Sequence, residues 1–153
     1  MNIDSARQGK ASACSVNLVK IYHELKQESL VDKFRAFFTG KTSVAMYYLT
    51  FKFSVTSGTG NTYTVLIRTN PDFSLKSWTS GKVKIYCSCA DFKYRSAYKL
   101  NKHGSLFKTP SIESSLGMAL SDQPKRGTTL LCKHSFAALQ WLVMNWSNVM
   151  KTI

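Results

Sequence analysis

Two cysteines stand one residue apart in "YCSCAD", and 42 residues later a cysteine and a histidine repeat that spacing in "LLCKHS". Two short donor pairs constrain the fold more tightly than any apolar pattern, because one cation would have to draw both segments together. Zinc prefers tetrahedral thiolate and imidazole ligands, and a site closed by four protein donors is structural rather than catalytic. Cys87, Cys89, Cys132 and His134 are therefore the candidate ligands of one structural Zn2+. Two alternatives stand beside it. A disulfide between Cys87 and Cys132 would leave Cys89 unpaired and His134 without a role, and buried free thiols would make the matched spacing a coincidence.

Local geometry tells how each pair can be delivered. In "KVKIYCSC" apolar and polar residues alternate, so a strand puts Val83, Ile85, Cys87 and Cys89 on its buried face and Lys82, Lys84, Tyr86 and Ser88 outward. Residues i and i+2 inside a helix lie roughly 200° apart. Cys132 must then precede the last helix, with His134 in its first turn. A thiolate at a helix N-terminus is also held in its ligating form. Three thiolates around a divalent ion leave one net negative charge, which Lys84, Arg95 and Lys133 can offset.

The period of the apolar residues divides the rest of the chain. Residues 1–13 form a polar arm. Leu18, Tyr22 and Leu25 fall at helical spacing, as do Leu30, Phe34, Phe37 and Phe38, so 14–43 reads as a helical segment packing on the domain. From Ala45 to Val55 the period drops to two, and "TYTVLIRT" repeats it after the turn "TSGTGN", which predicts a β-hairpin. "KVKIYCSC" adds a third strand. Asp91 to Lys102 reads as a helix stopped near Gly104, "SIESSLGMAL" as a shorter one, and residues from about Lys133 to Met150 as a long helix with a wide apolar stripe. The expected class is α+β: an N-terminal helical segment, a three-stranded antiparallel sheet, a zinc-knotted helical insertion over 90–131, and the C-terminal helix.

Charge is the strongest bulk property. Against 8 acidic residues stand 21 Lys and Arg, a net charge of +13, with the largest share beyond the first cysteine pair. Such a surface attracts polyanions. A solvated basic face is the competing reading. Lys82, Lys84, Tyr86, Lys93, Tyr94, Arg95, Tyr98, Lys99 and Lys102 are the candidates for contact with nucleic acid or a partner protein. No stretch reaches the length of an apolar membrane span, and the polar start carries no secretory h-region. A phosphate-cradling glycine loop, a nucleophile elbow and the deaminase signature are all missing, so an enzyme or small-molecule substrate is not expected.

The order C-x-C, spacer, C-x-H, with a hairpin before and a helix after, resembles the SWIM zinc finger. On Cys87, Cys89, Cys132 and His134 that resemblance implies a β-β-α zinc module over 44–153, in a family linked to DNA binding and protein interaction. The long spacer departs from the usual pattern. The wider wording, "CSCADFKYRSAY" with "GTTLLCKHSFAAL", looks like virion-associated proteins of tailed bacteriophages. That likeness implies a non-enzymatic virion component of neck, tail or baseplate, assembled in the host cytoplasm among other virion proteins, in a homo-oligomeric ring. The alternative is a nucleic-acid-binding zinc-finger module using the basic, aromatic surface.

Overall fold

The computed structural model describes residues 11–25, 37–38, 47–70, 83–112 and 131–153. Four strands pair antiparallel in sequence order: Ser15–Leu25 (β1), Tyr47–Thr56 (β2), Thr62–Thr69 (β3) and Lys84–Cys87 (β4). The tight connection between β2 and β3 closes through the Ser57 and Gly60 amides, with Gly60 at φ 90°. One sheet face is wholly apolar at its centre. Leu49, Phe51, Phe53 and Val55 of β2, Val65 and Ile67 of β3, and Ile85 and Cys87 of β4 are completely buried there. The long helix Lys133–Lys151 lies on that face, with Trp141 edge-on to Phe53 at 5.6 Å and Trp146 edge-on to Phe51 at 5.8 Å.

The sheet corrects the expected fold in one place: residues 15–25 are a strand, not a helix, so the sheet has four strands rather than three. A β-bulge explains the misleading pattern. Leu18 pairs with Phe53 and Lys20 with Lys52, which leaves Val19 as an extra residue pointing to solvent. One inserted residue switches the alternation. Val16, Leu18 and Ile21 then all oppose buried β2 residues, and the apolar spacing across the bulge imitates helical periodicity. Of the second expected helix only Phe37 and Phe38 lie within the described residues, both exposed. The arm before Ala11, Lys82, and the helix expected over 111–120 beyond Ile112 lie outside them.

After β4 the chain makes a single π turn, Phe92–Ser96, and runs into the short helix Ala97–Lys102 (α1). Phe92, Ser96, Ala97 and Leu100 turn inward. The helix ends in a Schellman motif: the Gly104 amide donates to Asn101 O, the Ser105 amide donates to Leu100 O, and Gly104 sits at φ 70°. This ending sends residues 105–107 along the outer edge of β4. There the Ile85 amide donates to Ser105 O at 2.9 Å, and the Phe107 amide donates to Ile85 O at 2.9 Å. Gly104→Ala forces a side chain into the left-handed region. It is expected to cost about 1–2 kcal/mol, read as a lower urea midpoint at unchanged slope, with Gly104→Asn costing less. The long helix, Lys133–Lys151, is α2 below; among the described residues no helix is long and apolar enough to cross a membrane.

Candidate metal centre

Strand parity and helix capping bring the two donor pairs together. Ile85 and Cys87 share the buried face of β4, and Cys89, just past its end, keeps that inward direction at 4% exposure. Cys132 is the N-cap of α2, with extended backbone at φ −75° and ψ 167°, so its side chain folds over the first turn. His134 follows at the second helical position and is buried as well. The donor atoms of Cys87, Cys89, Cys132 and His134 all lie within 4.8 Å of one another. These four residues form a buried cluster that can hold a metal ion.

The surroundings of the donors favour a cation. Neither ring nitrogen of His134 has a hydrogen-bond partner among the described residues, although both are buried. A buried polar atom left unpaired is costly, and a metal ligand bond removes that cost. The ring is held by Tyr63, whose centroid lies 4.4 Å away. Main-chain donors serve the sulfurs: the Phe92 amide donates to Cys89 Sγ at 3.3 Å, and the Ser135 amide donates to Cys132 Sγ at 3.4 Å.

Two of these sulfurs are shifted in opposite directions. Hydrogen bonds from Cys132 and then Cys87 bring Cys89 down to about 4, against the opposing effect of burial and with the Phe92 amide assisting. Cys87 is pushed up, first by its hydrogen bond to Cys132 and then by Cys89 and burial. Of the two, Cys89 is the sulfur that gives up its proton more readily and Cys87 the one that holds it. Two neighbours feel the cluster: burial raises Tyr86, with Cys87 and Cys89 adding to it, and burial raises Cys14, with Lys133 opposing and Cys132 adding.

The expected basic surface is brought together only in part. Lys84 is half-buried on the sheet face away from α2 and donates to the Gly104 carbonyl. Tyr86 packs edge-on to Phe92 at 6.0 Å. On the π turn and α1, Lys93 lies over the Tyr94 ring at 5.4 Å and Lys102 over the Tyr98 ring at 4.8 Å. Arg95 is paired with Asp91 at 3.0 Å, and Lys99 is exposed. Tyr94, at 40% exposure, is the one tyrosine of this group that reaches well into solvent.

Ser135 is a residue of the site that its sequence position does not advertise. Its hydroxyl contacts Cys132 Sγ at 3.2 Å and donates to Cys132 O at 3.1 Å, with the residue fully buried. The available signal is a serine three residues after a helix N-cap, where a reciprocal capping side chain belongs. Outer partners of metal ligands tune affinity roughly 10–100-fold. Ser135→Ala is expected to weaken metal binding within that range, measured by competition with a chromophoric chelator, while the helical circular dichroism persists.

No protein-family model matches the chain, and no characterised protein or solved structure shows significant similarity to it.

Proposed function

We propose that the cluster holds one structural zinc ion and that the protein is a non-enzymatic, SWIM-like interaction module serving as a minor component of a tailed-phage particle. The observation that carries this is the closure of the site. Three thiols and an imidazole converge in the core, and all four positions of a tetrahedral ion would be filled by protein. Such a donor set suits zinc and leaves no position for water or substrate. The phage placement is supported by the wording around both donor pairs, "CSCADFKYRSAY" and "LLCKHSFAAL".

The metal then has a mechanical task. It ties the end of β4 to the start of α2, so that the sheet and the helix covering it present fixed outer surfaces to a neighbour. Elemental analysis is expected to find about one zinc per chain. Particles purified with and without the gene would test the placement: the chain should be present at fixed copy number, and particles lacking it should be defective. A chain free of zinc when purified without chelators, or intact particles without the chain, would refute the corresponding part.

A second reading is favoured by one feature of α1. The inward residues of the π turn and α1 fill the core while Tyr94, Lys99 and Lys102 face outward, as a nucleic-acid-binding surface would require. Duplex DNA binding that survives physiological salt, with a steep log-log salt slope, is the measurement that supports it.

A further inference from the structure

The sheet face turned away from α2 carries an electrostatic conflict. Lys20 of β1 is directly opposite Lys52 of β2, and Arg68 of β3 is directly opposite Lys84 of β4. Like charges directly opposite across strands are destabilising. In the four strands this face holds one carboxylate, Glu24, which is already paired with Arg68. Strand spacing of about 4.8 Å spreads the cations over a width of roughly 14 Å.

Flat rings lie among these charges. Lys20 sits over the Tyr22 ring at 4.7 Å, and the Arg68 guanidinium lies over the Phe107 ring at 4.5 Å. Tyr22 and Phe107 also line an open groove of about 300 Å³, together with Glu24, Lys52, Thr64 and Leu66. That volume is at the small end for a ligand site and fits a flat group the size of a base. The Schellman ending of α1 and the clamp at Ile85 bring Phe107 to this face.

We infer that this open sheet face binds a single strand of nucleic acid, its phosphates neutralising the Lys20–Lys52 pair and Lys84 and its bases stacking on Tyr22 and Phe107. Charge complementarity selects a polyanion, and rings in a shallow groove select unpaired bases, since a duplex hides the base faces. The inference rests on the nucleic-acid reading above and sharpens it, moving the contact from α1 to the sheet.

The test is fluorescence anisotropy of the zinc-loaded protein with a labelled thymidine oligonucleotide of about 12 nucleotides, against a duplex of equal length. The single strand is expected to bind more tightly than the duplex. Replacing both Lys20 and Lys52 by alanine should lower the log-log salt slope by about 1.4, at about 0.7 for each phosphate no longer neutralised. Tyr22→Ala should weaken binding about tenfold, whereas Tyr22→Phe, which keeps the ring, should bind like the wild type. Zinc content and circular dichroism confirm that each variant is folded. Equal affinity for duplex, or unchanged binding in the lysine double variant, overturns the inference. Weakening caused only by Lys99→Ala with Lys102→Ala refutes it but keeps the wider nucleic-acid reading, and absence of any binding at physiological salt ends both.

Discussion

Cys132→Ser is expected to release the metal and unfold the protein around α2. The cysteine does two jobs at once: its sulfur is one of four converging donors, and the same sulfur accepts from the Ser135 amide as the cap of the helix. A serine keeps the cap and loses the soft ligand. The free energy of a structural zinc site, about 10–16 kcal/mol in small zinc modules, is comparable with the whole stability of a domain, about 5–15 kcal/mol. Removing it also leaves the His134 nitrogens buried without a partner. The checks are zinc content and the disappearance of α2 helicity by circular dichroism. Cys14→Ser is the control, because Cys14 lies outside the cluster and its replacement should leave the metal in place. A Cys132→Ser protein that keeps its zinc and melts with the wild type would remove the metal from the account of this fold.

Phe53→Ala is the second large effect. Phe53 lies on β2, flanked by Leu18 on one side and Val65 on the other, and its fully buried ring packs against Trp141 of α2. Truncation removes buried apolar surface and an aromatic contact, and the β-sheet backbone cannot collapse to fill the space. A cost of about 3–5 kcal/mol is expected, seen as a large drop in the urea midpoint of the protein. Ser54→Ala, the next residue, points to the opposite face and should shift stability by no more than about 0.5 kcal/mol. Similar small costs at both positions would mean that α2 does not seal this face.

How much of the fold is legible in the sequence depends on whether one simple period governs each segment. "TYTVLIRT" alternates without a break and is β3, Thr62–Thr69. The parity of "KVKIYCSC" places both cysteines inward, and the rule that i and i+2 diverge on a helix places Cys132 at the cap of α2. The first strand reads as a helix because Val19 is one residue too many for a period of two, and a bulge is fixed by pairing with β2 rather than by local preference. Likewise the clamp of residues 105–107 on Ile85 and the aromatic groove beside it depend on tertiary contacts that no local pattern encodes. Strand parity separates the outward Lys84 of the sheet from the α1 surface, but the register that sets Lys20 opposite Lys52 is not encoded locally.

The two donor pairs also set what can vary in this chain. Cys89 and Cys132 are both immobilised by the core, so the 42 residues between them are a segment with pinned ends. The entropy of closing a loop grows only with the logarithm of its length, about 0.6 kcal/mol for each doubling. Lengthening that stretch outside its own buried part, Phe92 to Ile112, therefore costs the fold little, whereas moving either pin by one residue would turn a sulfur out of the core. The chain has room there to acquire new surface without disturbing its four donors.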